Sequence, residues 1–223
     1  MKIIECVPNF SEGRDTALIK EITDAMESVS GITLLDVDPG ADTNRTVVTI
    51  VGSPESVIEA AFLGIKKALE LIDMRNHSGA HARMGATDVC PFVPISETSM
   101  DDCVEYSKQL AKRVGDELNI PVFLYEFSAP TDDRINLANI RRGEFEGMAD
   151  KLQIPQWKPD YGPAKPHATA GVTAIGARNF LIAYNLNLNT KDKKIATDIA
   201  LDIREQGRNK RDQYGKFVRD ENG

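Results

Sequence analysis

Apolar positions along this chain recur at two spacings, and the changes of spacing divide it into elements. Residues 3–7 form a short apolar run ended by Pro8, which predicts a strand opening into a loop over 8–13. From Asp15 onward Leu18, Ile19, Ile22, Ala25, Met26 and Val29 recur at helical spacing, and Gly31 stops the pattern. Residues 32–37 predict a strand, 38–45 a polar loop, and the β-branched run 46–51 a second strand. Ser53 is a good N-cap, Pro54 fits the first helical position, and Glu55 favours the positive end of the helix dipole. The helix they start buries Val57, Ile58, Ala61, Phe62, Ile65, Ala68 and Leu69. A glycine-bearing loop over 76–85 follows. Residues 89–95 then predict a strand, and Pro91 and Pro94 place it at a sheet edge or on a bulge. Ser99 caps a third helix with the stripe Cys103, Val104, Leu110, Ala111, Val114 and Leu118, and residues 120–125 predict the next strand.

Beyond residue 130 the rhythm weakens. Residues 130–152 mix turn signals with a short helical pattern. Residues 154–166 are rich in Pro and Gly and hold Trp157, which predicts a connecting loop that packs one aromatic ring. Residues 180–188 predict a strand, and Ile195, Ala196, Ile199, Ala200 and Ile203 a helix behind it. The polar tail 207–223 is expected to be disordered, or to mark where a longer chain is cut. The element order is β-α-β-β-α-β-α-β, a loop region, then β-α. Two adjacent strands among interleaved helices predict an α+β fold, a ferredoxin-like mixed sheet covered by helices, over a doubly wound parallel sheet. Residues 1–176 make one such subdomain, and 177–223 read as the first strand and helix of a second.

Composition narrows the setting. Hydrophobic residues are 41% and charged residues 27% of the 223, the balance of a globular protein. A formal charge of −7 argues against a general nucleic-acid binder, which needs a basic face. An acidic substrate must therefore be met by a local basic patch. No apolar run approaches the ~20 residues a bilayer span requires, and residues 1–5 lack the apolar core of a signal peptide. A cytoplasmic location without membrane attachment is expected. Cys6, Cys90 and Cys103 have neither disulfide nor zinc spacing and are expected to serve as small buried hydrophobes.

The segment 76–88 is the strongest candidate for chemistry. His81 and His77 suit proton transfer near neutrality, Gly79 and Gly85 let backbone approach a ligand, Arg83 offers a fork to a carboxylate, and Asp88 can fix a histidine tautomer. Spacing alone leaves two ordinary loop histidines an equal reading. His77 and His81 lack the intervening Glu of a metalloprotease helix, and no metal is expected. The stretch Gly162, Pro163, Ala164, Lys165, Pro166, His167, Ala168, Thr169, Ala170 and Gly171 can lie against a planar ligand and offer it a cation, or be a linker. Asp36, Asp38 and Asp42 form either a polar wall or a solvated turn, and Arg208, Lys210 and Arg211 a solvated tail.

The chain resembles the glutamate formimidoyltransferase family, folate-dependent enzymes of histidine degradation. The resemblance lies in ECVPNFSEG at 5–13, DTNRTV at 42–47, LIDM at 71–74, RMGATDVCPF at 83–92, GARNFLIAYN at 176–185 and REQGR at 204–208. It implies a catalytic histidine at His81, a folate-binding stretch at 162–171, tetrahydrofolate as co-substrate without a metal, and glutamate or formimidoylglutamate as the other small-molecule substrate. It also implies two ferredoxin-like subdomains facing each other across a folate tunnel, and a homodimer. Ending within the second subdomain, the chain carries an alternative expectation: a folate-binding module without activity. Arg83 or Arg45 is the expected carboxylate partner and Lys165 the partner of the folate glutamyl tail.

Overall fold

The computed structural model describes residues 1–182, 186 and 188–204. They divide into a unit at Met1–Phe180 and a second unit from Leu181 onward.

The first unit is built on one sheet. Its strands are β1 (Ile3–Cys6), β2 (Asn9–Phe10), β3 (Ile32–Gly40), β4 (Arg45–Gly52), β5 (Thr87–Ser96), β6 (Val122–Glu126) and β7 (Thr173–Ala177). From one edge the order is β3, β4, then β1 and β2 end to end, then β5, β7 and β6. The pairings from β3 to β5 are antiparallel and those of β5–β7 and β7–β6 are parallel. The antiparallel part, with α1 (Thr16–Glu27) and α2 (Pro54–Leu71) crossing between its strands, is the ferredoxin-like arrangement. The parallel pair extends it, reached through α3 (Met100–Leu118).

The helices start where capping chemistry places them. Asp15 accepts from the amides of Ala17 and Leu18, Ser53 from Ser56, and Ser99 with Asp102 forms a reciprocal capping box. Their apolar stripes close one face of the sheet around Ile4, Cys6, Phe10, Ile50, Ile65, Phe92 and Leu110, all fully buried. Cys90 and Cys103 are buried in the same cluster, as expected of unpaired thiols. On the other face α4 (Asp132–Ile135), α5 (Leu137–Arg141) and α6 (Glu144–Lys151) cover a smaller cluster of Met84, Val89, Phe123, Tyr125, Ile140 and Met148. Trp157 meets Phe123 edge-on at 6.2 Å, so the connecting segment does pack one ring.

Two expectations change, and a third resolves between its alternatives. Of the two places expected for the strand bearing Pro91 and Pro94, it takes the bulge: it lies inside the sheet, between β1/β2 and β7, with an irregular register beside Pro94. One register shift falls between Pro94 and Ser96, and the Pro91 carbonyl still accepts from the Val7 amide at 3.1 Å. Asn9–Phe10, expected as loop, forms a short strand beyond the break at Val7 and Pro8. Thr173–Ala177, expected as no element at all, is a fully buried strand. In the second unit α7 (Lys193–Ile203) occupies the expected helix. Of the expected strand 180–188, residues 183–185 and 187 lie outside the described set, and the remaining positions are not in a strand. The tail 207–223 also lies outside it.

Candidate active site

The site grows from a fault in the β2–β5 ladder. Asn9 pairs with Val89 and Phe10 with Thr87, so Asp88 is bulged out between two paired residues. Its carboxylate is fully buried. Oδ1 accepts from the Met84 amide at 2.9 Å, while Oδ2 accepts from Arg45 Nη1 at 2.5 Å and Arg141 Nη2 at 2.6 Å. Arg45 opens β4 and also donates from Nε to Asn9 Oδ1 at 3.1 Å, and Arg141 closes α5. Burial works against the Asp88 charge, yet the two guanidiniums and the Met84 amide hold its carboxyl below the ordinary range. Burial lowers the Arg45 pKa, with Asp88 opposing that shift. Asp88 thus serves the arginines, and its expected part in fixing a histidine tautomer falls away.

His81 lies in the loop before this bulge, half-buried. Nδ1 donates to the Ala82 carbonyl at 2.6 Å, which fixes the neutral tautomer with the lone pair on Nε2. Its pKa lies below the ordinary 6.5, first because burial disfavours the imidazolium and then because Arg45 and Arg141 repel it. Lowered below 6.5, the ring is a neutral base at physiological pH, able to take a proton and return it.

His77 has a different office. Nε2 donates to the Asn44 carbonyl at 2.8 Å, and Nδ1 accepts from Arg83 Nε at 3.2 Å, so both nitrogens are used. Arg83, expected as a fork for a substrate, gives that fork to Glu144 and Glu146 at 2.8 and 2.7 Å. The Phe145 amide donates to the Arg83 carbonyl, and the start of α6 is thereby latched to the loop.

The stretch 162–171 reaches the same place. His167 and Gly171 exchange backbone hydrogen bonds, each at 2.9 Å, and His167 Nδ1 accepts from the Ala170 amide at 3.2 Å. Thr169 O accepts from the Met74 amide, Ala170 O from Ala86, and Met84 O from Val172. Gly85 lies so close to the Val172 and Ala170 carbonyls that a Cβ there would overlap both, which is why a glycine stands at this joint. Burial lowers the His167 pKa. Ala164, Lys165 and Ala168 are exposed.

Of the acidic residues, Asp36 and Asp38 are exposed on β3, while the Asp42 carbonyl receives the Ala80 amide and ties that loop to the one bearing His81. Arg208, Lys210 and Arg211 lie outside the described residues. Arg141, Tyr125 and Arg178 went unnoticed as site residues. The buried Tyr125 phenol is pushed well up by burial and feels Arg178 and Arg141. Only the Arg141-Arg142-Gly143 run carried a signal for the first of them.

Residues 3–178 match the family described as formiminotransferase domain, N-terminal subdomain. The chain is 54% identical over 206 residues to a glutamate formimidoyltransferase of Streptococcus pyogenes, covering 92% of this chain and 69% of that protein. It is 48% identical over 206 residues to the glutamate formimidoyltransferase of Thermoplasma acidophilum, covering 92% and 68%. Against the formimidoyltransferase-cyclodeaminase of Dictyostelium discoideum it is 52% identical over 208 residues, covering 93% of this chain but 38% of that protein.

Proposed function

Because the chain belongs to the formiminotransferase family, in its N-terminal subdomain, we propose that it takes part in folate-dependent transfer of a formimino group between N-formimidoylglutamate and tetrahydrofolate. The relatives' names state the formimidoyl transfer and the family likeness implies the folate, and the observation that supports the reading best is the state of His81. Group transfer between two nitrogens needs one proton moved from the attacking amine to the departing one. A neutral imidazole with its Nδ1 hydrogen engaged by a carbonyl and Nε2 unengaged is built for that shuttle. His81 Nε2 takes the proton that folate N5 sheds as it bonds to the amidine carbon, and returns it to the glutamate nitrogen as the old C–N bond breaks. Atoms balance: formimidoylglutamate and tetrahydrofolate become glutamate and 5-formimidoyltetrahydrofolate.

The stretch Gly162–Gly171 is assigned to folate. Small exposed side chains at Ala164 and Ala168 leave room for a flat ring, and the exposed Lys165 is free to meet an anionic tail. Its hydrogen bonds to the His81 loop hold the two segments together. The same reading has the protein act as a homodimer in the cytoplasm, on small-molecule substrates, without a metal.

Replacing His81 with Ala is expected to lower transfer by about 10²–10⁴-fold with little change in thermal stability. Turnover within threefold of the parent would overturn the assignment. Titration with a reduced folate alongside the transfer assay separates the enzyme from a non-catalytic folate-binding module. Binding with turnover supports the enzyme, and binding without turnover supports the module.

A further inference from the structure

We propose that Arg45 and Arg141, held in place by Asp88, form an anion subsite that seats a carboxylate of the amino-acid substrate beside His81. The identity of the substrate rests on the transfer reading above. The anion site itself rests on the arrangement of charges.

One buried carboxylate serves two guanidiniums here, and the cluster carries an excess positive charge. The side chains of Arg45 and Arg141 are only 10% and 16% exposed, so water does little to offset that excess. Asp88 has also committed Oδ1 to the Met84 amide. Arg45 uses Nη1 and Nε, and Arg141 uses Nη2. Arg141 Nε is buried without a hydrogen-bond partner, and so is Nε of Arg178, which bears on the same Tyr125 phenol. Buried donors left open beside a net positive charge call for an acceptor of the opposite sign. In a chain with a formal charge of −7, this concentrates positive potential at one place in the sheet, next to the proposed acid/base.

Geometry favours a carboxylate. Arg45 comes from β4 and Arg141 from α5, and Asp88 between them fixes both forks, so a planar anion can bridge their outer nitrogens as Asp88 bridges the inner ones. The charged groups facing His81 are Arg45 from β4, Asp88 from β5 and Arg141 from α5. Seating an anion on the two arginines offsets the repulsion they exert on the imidazolium. The histidine is then a base when the subsite is empty and a better proton carrier when it is filled.

The full chain is to be titrated with L-glutamate by calorimetry, while the His81 ring resonances are followed against pH by NMR. Saturable binding is expected, with an upward move of the His81 titration on saturation. Arg141→Gln is expected to weaken binding at least tenfold and to abolish that move, while the surface variant Lys112→Gln leaves both intact. Because Asp88 keeps Arg45 and the Met84 amide, Arg141→Gln retains its fold, which circular dichroism checks. No glutamate binding by the parent chain, parent-like affinity in Arg141→Gln, or binding that leaves the His81 titration unmoved would each overturn the proposal. Arg141-dependent glutamate binding in a chain that fails to transfer would instead uphold the subsite and remove the transferase reading.

Discussion

Two clusters flank His81, and they are opposites in stoichiometry. In one, Arg83 is a single cation between two carboxylates, Glu144 and Glu146, with His77 closing the remaining side. In the other, Asp88 is a single carboxylate between two cations, Arg45 and Arg141. The Arg83 cluster has its hydrogen-bonding demand met, and its acids are 45% and 64% exposed, so solvent screens it. It works as a latch between the loop and α6. The Asp88 cluster is buried, keeps an open donor, and reaches His81 through its field. An arginine in a candidate site is therefore not a candidate ligand until its own partners are counted. Of the two arginines expected to meet a carboxylate, that count leaves Arg83 without a free fork and favours Arg45, with Arg141 joining it in the proposed subsite.

The contrast predicts unequal costs. Asp88→Asn leaves two guanidiniums buried without a counter-charge and is expected to destabilise by about 3–5 kcal/mol in urea unfolding. Its pH dependence carries a sign. The folded pKa of Asp88 is depressed, so its stabilisation is present above the ordinary carboxylate pKa of about 3.9 and is lost as pH falls through the folded value. The parent should thus lose stability in that acid window more steeply than Asp88→Asn. Gly85→Ala, which drives a methyl group into the Val172 carbonyl at the joint with 162–171, is expected to lose about 2–3 kcal/mol and to weaken folate binding. Glu146→Gln touches only the screened cluster, and a change of about 0.5 kcal/mol or less is expected. A cost for Glu146→Gln equal to that of Asp88→Asn would erase the distinction between the two clusters.

Much of this was legible beforehand where local chemistry decides the outcome. The stripes of α1, α2 and α3 and their caps at Asp15, Ser53 and Ser99 act within one or two turns, and they fall where the spacing puts them. β7 was not legible. Thr-Ala-Ile-Gly-Ala has little apolar bulk, and it is a strand because β5 and β6 pair with it on both sides. β2 was hidden for a related reason, since Pro8 signals a loop while the ladder resumes at once beyond it. At the site, His81 and the stretch 162–171 stand out by residue type and family likeness, whereas the hydrogen bonds that bring 162–171 to the ends of the His81 loop form only in the fold. The pairings of Arg83 and Arg141 were out of reach, because their partners lie 53 to 63 residues away in the chain. Only the folded register brings them together.

That register has a consequence in plain chain length. Thr87 and Val89 are two residues apart, but their partners Phe10 and Asn9 are adjacent, so β5 carries one residue more than the strand beside it. Remove that residue and the β2–β5 ladder becomes regular, with Phe92 keeping its place opposite Cys6 of β1 and Cys90 its place opposite Ile175 of β7. Arg45 and Arg141 would then face each other with nothing between them. A surplus of one residue, more than the identity of any helix or strand, separates a sheet with a buried charge cluster from a sheet without one.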